Sequence, residues 1–282
     1  MKLLAYAKIN LGLHVLARRP DGFHDLETVF HQINLFDEIE ILPHNILEFS
    51  TESRDVPRDS SNLCLRAATL LQQRHRVSSG ARIRLNKRIP VGAGLGGGSS
   101  DAAAVLKGLT RHWNLGLSPS ILHDLAAQIG SDVPFFLEGG TSFATGRGDK
   151  LNAFKLRVPY WILVVTPPIH VSTAWAYSNL ELSASGVNYD LRASLVRMME
   201  DSRRGELLMN DFEPMVFSAH PEIRAIKESM LQEGARFALL SGSGSSVFGL
   251  FTEENRARAA AKPFPANHTI SLTEPNFRPE SH

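Results

Sequence analysis

The sequence predicts an α+β fold made of two domains. Three observations carry this. The chain has 282 residues, and at about 100–200 residues per domain that is one large or two medium units. Strand patterns crowd its start and helical patterns follow, without a regular strand–helix alternation. Its 43% hydrophobic and 21% charged residues are ordinary for a globular chain that buries a core.

The elements follow in order. "INLGLHVLA" alternates around Ile9, Leu11, Leu13 and Val15, the period of a half-buried strand. "LETVFHQIN" and "DEIEIL" continue as strands, joined to the first through the turn-like "RRPDGFH". After "RDSSN", Leu63, Ala67, Leu70 and Leu71 have helical spacing. "ARIRLNKRI" alternates again, with Ile83 and Leu85 on one side and Arg82 and Arg84 on the other. Beyond a glycine run, Ala102, Val105, Leu106 and Leu109 share a helix face. "LSPSILHDLAAQIG" has Ser118 as N-cap, Pro119 at the first helical position and Gly130 at the end. "GGTSFATGRGDKL" reads as strand and turn, and Tyr160 to Thr166 as a buried strand. "RASLVRMME" and "PEIRAIKESMLQEG" read as helices, "RFALLS" and "SSVFGLF" as strands, and "ENRARAAAK" as the last helix. The tail "NFRPESH" is expected to fray. A boundary near 150–160 gives domains of residues 1–155 and 156–282.

Charge excludes some classes of partner. Lys plus Arg number 30 and Asp plus Glu 29, so no global field recruits nucleic acid or a membrane. An anionic ligand must be captured by local geometry. The single cysteine, Cys64, fits a reducing, cytoplasmic location and reads as a buried inert thiol. The start has no convincing signal-peptide pattern, and the apolar run Trp161 to Val165 is strand length. His14, His31 and His44 show no metal-ligand spacing, and there is no C-x-x-C. The sequence sets no oligomeric state.

The chemistry concentrates in "PVGAGLGGGSSDAAAVLKGL". Pro90 and Val91 introduce Gly92, Gly94, Gly96, Gly97 and Gly98, interrupted by Ala93 and Leu95 and followed by Ser99 and Ser100. Gly92, Gly94 and Gly97 match the dinucleotide pattern G-x-G-x-x-G, which alone is weak. Its context fails: the preceding strand is polar at every second position, and Leu115 to Ser118 stand where a ribose-binding acid belongs. A P-loop needs lysine where Gly98 stands, and a protein-kinase hairpin needs valine where Ser99 stands. A flexible surface loop explains the glycines but not their direct join to a patterned helix. The remaining reading is a polyphosphate cradle. Bare backbone N–H groups approach an anion, and a helix starting near Ser100 adds unpaired N–H groups and a positive dipole end. Ser99 or Ser100 can cap that helix or reach a phosphate oxygen.

This stretch resembles the central phosphate-binding motif of the GHMP kinases. "AYAKINLGLHVLARRPDGFHDLETVF" resembles their first motif and "ALLSGSGSSVFGLF" their third, in the expected order. The resemblance implies a two-domain GHMP-kinase-like fold with the active site in the interdomain cleft. "AKINL", "RPDGFH", "GLGGGSSDAA" and "GSDVPFF" extend the likeness to the branch that acts on a small-molecule cytidine diphosphate substrate. That branch phosphorylates the 2-hydroxyl of a methylerythritol in the non-mevalonate route to isoprenoid precursors. The implied phosphate donor is ATP, with Mg2+ carried by the nucleotide rather than caged by protein.

The resemblance also assigns roles. Asp132, expected between a helix end and an apolar strand "VPFF", is the implied general base; read alone, it is a capping or turn aspartate. Lys8 in an apolar strand is the implied partner of Asp132; read alone, it is as well explained as a solvent-facing lysine. Asn10 shares its strand face and is an implied substrate contact. His24 is an implied cytosine contact, with Phe23 stacking on the base where the family pattern has tyrosine. Lys87 is an implied substrate contact, or else a solvated charge. Asn62 is a helix cap and, with Leu63, an implied border of the adenine. Thr173 and the turn Gly242 to Gly244 are implied to close the cleft from the second domain. Other readings stay open: a GHMP kinase of homoserine or mevalonate type, or a nucleotide-binding module without catalysis.

Overall fold

A computed structural model describes residues 1–180, 190–200 and 208–280. The first half runs β1 (Lys2–Arg18), β2 (His24–His44), β3 (Leu47–Thr51), α1 (Leu63–His75), β4 (Gly80–Asn86), α2 (Gly97–His112), α3 (Pro119–Ile129), α4 (Val133–Glu138), β5 (Thr141–Thr145) and β6 (Lys150–Ala153). Among the described residues its strands form a six-stranded sheet, ordered β3-β4-β2-β5-β6 with β1 also on β2. The pairs are antiparallel except β3 with β4.

The second half runs β7 (Trp161–Thr166), α5 (Thr173–Ser178), α6 (Leu191–Glu200), α7 (Glu213–Ala219), α8 (Pro221–Gln232), β8 (Phe237–Leu240), β9 (Val247–Phe251), α9 (Glu254–Ala261) and β10 (Thr269–Thr273). Among the described residues its strands form a four-stranded antiparallel sheet, β10-β7-β9-β8.

Three apolar clusters hold the layers together. On one face of the first sheet, Ile39, Ile41 and Ile83 pack with Leu71, Leu106, Ile129 and Phe135 from α1 to α4. The other face contributes Ile9, Leu11, Val29 and Ile33, which pack against Ile162, Val164, Phe248 and Leu250 of the second sheet and against α6. The far side of the second sheet packs on α5 and α7 to α9 through Val165, Ala176, Val216, Ile226 and Ala257.

Several expectations need correction. The alternation in β1 predicts one wet face, yet Ala5 through Val15 are all buried. The second half of the chain covers the face that would otherwise be wet, so Lys8, Asn10 and His14 are enclosed. The "VPFF" run is the helix α4, not a strand. Pro134 sits in its first turn, and Gly139 ends it at φ +75°, its N–H bonded to the Phe135 carbonyl at 2.7 Å. The helix after the glycine run begins at Gly97, three residues before Ser100. The tail is pinned in part: Asn276 N donates to the Val158 carbonyl at 2.9 Å, and the Phe277 ring lies 5.6 Å from Tyr6.

Candidate active site

The three motifs meet at one place. Lys8 N donates to the Leu95 carbonyl at 3.0 Å, and Ser246 N to the Ala93 carbonyl at 3.2 Å. The Ser241 hydroxyl donates to the Gly94 carbonyl at 3.0 Å and accepts from Asn10 N at 3.3 Å. So β1 clamps the glycine loop from one side and the β8–β9 turn clamps it from the other.

Glycine is required for this approach. Gly94 has φ +79°, and a Cβ there would land inside the Ser241 carbonyl oxygen. Gly96 is the N-cap of α2 at φ +69°, a left-handed conformation that other residues adopt only at a cost. The first turn of α2 then presents unpaired N–H groups beside the loop. Ser99 lines the cleft here. Ser100 does not: its hydroxyl is buried and donates to the Tyr6 carbonyl at 2.7 Å.

The loop opens into a cleft of about 1350 Å³. Lys8 and Asp132 face each other in it, Nζ to Oδ2 at 3.7 Å, with Lys8 nearly enclosed and Asp132 partly exposed. Lys8 Nζ also donates to Asn10 Oδ1 at 2.7 Å and to the Gly94 carbonyl at 3.2 Å. Asn10 is itself held, because its Nδ2 donates to Thr28 Oγ1 at 2.8 Å and Thr28 donates to the Gly12 carbonyl at 2.6 Å. Burial pulls the Lys8 ammonium below the ordinary lysine range, and the Asp132 charge opposes that pull. A hydroxyl entering between the two groups meets a proton acceptor and a cation together.

At one end of the cleft, Asn62 caps α1, accepting from Cys64 N at 2.8 Å and Leu65 N at 3.3 Å. Leu63 lines the wall beside it. Cys64 is buried, and burial raises its thiol well above its usual pKa. Lys87 is neither solvated nor loose: Asp37 and Asp101 hold its ammonium at 2.6 and 2.8 Å.

At the other end the His24 ring stacks on Tyr177, centroids 4.9 Å apart and 21° between planes. Phe23 is exposed, and the Arg147 guanidinium lies 4.9 Å over its ring. Thr173 Oγ1 pairs with Ser243 Oγ at 3.1 Å, joining α5 to the turn that contains Gly242.

Some of these residues escape sequence reasoning. Tyr177 lies four positions after Thr173, one turn along α5, and faces the cleft. Burial and the nearby Asp132 charge push its hydroxyl up to about 12. Arg147 comes from the β5–β6 turn, which reads only as turn chemistry. Asn210 Nδ2 donates to the Leu240 and Gly242 carbonyls, both at 2.8 Å, and so anchors the third motif.

The chain resembles known proteins throughout its length. The GHMP kinases N terminal domain matches residues 62–140, and the GHMP kinases C terminal domain matches residues 191–268. The 4-diphosphocytidyl-2-C-methyl-D-erythritol kinase of Prosthecochloris aestuarii is 46% identical over 97% of this chain and 96% of that protein. Its namesake from Chlorobium phaeobacteroides is 45% identical over 100% and 97%. A crystal structure of a 4-(cytidine 5'-diphospho)-2C-methyl-D-erythritol kinase matches with a TM-score of 0.83 at 36% identity, over 99% of this chain and 100% of the other. The chain belongs to the GHMP kinase family, in its branch of 4-diphosphocytidyl-2-C-methyl-D-erythritol kinases, and is a phosphotransferase.

Proposed function

We propose that the protein transfers the γ-phosphoryl group of MgATP to the 2-hydroxyl of 4-diphosphocytidyl-2-C-methyl-D-erythritol. The observation that carries this is the Lys8–Asp132 pair, 3.7 Å apart, in the same cleft as the glycine loop and the start of α2. The triphosphate lies along Gly92 to Ser99, against backbone N–H groups and the positive end of the helix. The adenine lies toward Asn62 and Leu63. Asp132 takes the proton of the acceptor hydroxyl as the oxygen–phosphorus bond forms and ADP leaves. Lys8 lies 3.7 Å from that carboxylate and offsets charge on the transferring group.

Residues outside the transfer point select the acceptor. Phe23, His24 and Tyr177 offer π faces and a ring nitrogen to a pyrimidine. Arg147 and Arg18 line the same end and supply cations for its diphosphate. Asn10 and Thr173 hold the polyol side of the cleft. Magnesium enters with the nucleotide as part of the substrate and neutralises phosphate charge there. Among the described residues, no helix is long and apolar enough to cross a membrane. With its one cysteine buried and unpaired, the protein suits the reducing cytoplasm.

ADP release measured with four acceptors tests this reading. The cytidine diphosphate substrate should turn over far faster than its uridine counterpart, homoserine or mevalonate. Equal rates with the cytidine and uridine compounds would break the base recognition, and faster turnover of homoserine or mevalonate would overturn the assignment.

A further inference from the structure

Behind the glycine loop lies a charge cluster that the Lys8–Asp132 pair does not use. Lys87, just past β4, donates to Asp37 Oδ2 at 2.6 Å and Asp101 Oδ2 at 2.8 Å. All three side chains are buried, at 6%, 0% and 3% exposure. The cluster lies against the start of α2: a Cβ on Gly97 would come within 2.9 Å of Lys87 Nζ. Asp101 stands one turn along the same helix.

The two carboxylates are not equivalent. Asp37 Oδ1 accepts from Arg88 N at 2.5 Å and Ile89 N at 2.8 Å, in addition to its Lys87 bond. Three donors therefore satisfy its two oxygens. Asp101 Oδ1 is buried without a partner. A charged oxygen in that position costs far more than the oxygen of a neutral acid. Two ionised carboxylates on one ammonium would also leave a net negative charge where a triphosphate must sit.

We infer that Asp101 is a positioning residue of the nucleotide site and works as a neutral acid, so that the Asp37–Lys87–Asp101 cluster carries no net charge beneath the phosphate-binding helix start. The inference rests on the nucleotide reading of the glycine loop. Burial pushes the Asp101 acid up to about 8, Lys87 opposes this, and the Asp37 charge adds to it. Other elements around α2 supply few competing charges. From α1 the facing group is the neutral Cys64 thiol. From β1 it is Lys8, whose Cε lies beyond Gly96 and whose ammonium is turned to Asp132 at the start of α4. From α3 and α4 the packing groups are apolar: Leu125, Ala126, Ile129, Val133 and Phe136. The sign follows directly. Raising the pH through the Asp101 pKa adds a negative charge under the triphosphate, so nucleotide affinity falls as the proton leaves.

Calorimetric binding of ADP from about pH 6 to about pH 9.5 tests this without any contribution from turnover. The wild-type Kd should rise about tenfold from neutral to alkaline pH. In Asp101→Asn, which holds a neutral group of the same shape, the rise above neutral pH should be several-fold smaller than in the wild type, the remainder coming from Lys8. A rise of equal size in Asp101→Asn, or a flat wild-type profile, overturns the inference and leaves nucleotide binding itself intact. Failure of ADP to bind at any pH overturns the nucleotide reading as well. NMR titration of carbon-13-labelled aspartate carboxyls in the wild type gives a readout independent of the variant. One carboxyl should stay protonated through neutral pH. All carboxyls ionised at pH 7 would contradict the account.

Discussion

Lys8 occupies a place that charges avoid. Its side chain is 5% exposed, and an unpaired buried ammonium costs several kcal/mol, on the order of 3–5 when one partner is removed. Asn10, the Gly94 carbonyl and Asp132 share the task of holding it. Lys8→Met should lower kcat by about 10²–10⁴ with a modest change in KM, measured by ADP release. Because burial lowers the Lys8 pKa, the wild-type kcat should fall on the alkaline side below the ordinary lysine range, since deprotonation removes the cation. An unchanged rate in the methionine variant would return Lys8 to a structural role. At this scale the sequence reveals residue type and spacing but not partners. Lys8 and Asn10 are legible as one strand face because a strand has a period of two. Lys87 is not legible as a buried cluster member, because its two carboxylate partners are 50 and 14 positions away in sequence.

The glycine loop shows how an element depends on its neighbours. Its shape is set where the Gly94 backbone presses on the Ser241 carbonyl and where Gly96 turns into α2. Gly94→Ala combines a backbone collision with a positive φ, a strain of about 1–3 kcal/mol. It should lower Tm and raise the KM for ATP at least about tenfold; wild-type values for both would mean the contact with Ser241 does not shape the site. Elements with strong local signals are legible in the sequence. The helix α3 follows its Ser118 cap, whose hydroxyl accepts from Ile121 N, and β4 follows its alternation. The helix α4 is not, because four buried apolar residues satisfy strand and helix patterns alike. The short strand β10 is missed for a related reason: only two of its five residues are buried, and its position is set by pairing with β7.

At the scale of the whole molecule, two sheets pack face to face through Ile9, Leu11, Ile162 and Phe248, with helices on the outer sides. This stacking seals β1 on both faces and carries the β8–β9 turn to the glycine loop. The α+β class is legible from the order of patterns, but the burial of β1 requires knowing that the second half of the chain covers it. The cleft gathers an amine from β1, an acid from the start of α4, a phosphate loop before α2 and a closing turn from the second sheet. We propose that phosphoryl transfer occurs where these four converge. The most direct test is the turnover of Asp132→Asn at saturating MgATP and cytidine substrate, measured beside its affinity for ADP. The kcat should fall by about 10²–10⁴ while nucleotide affinity stays within about threefold. Near-normal turnover would contradict the proposal.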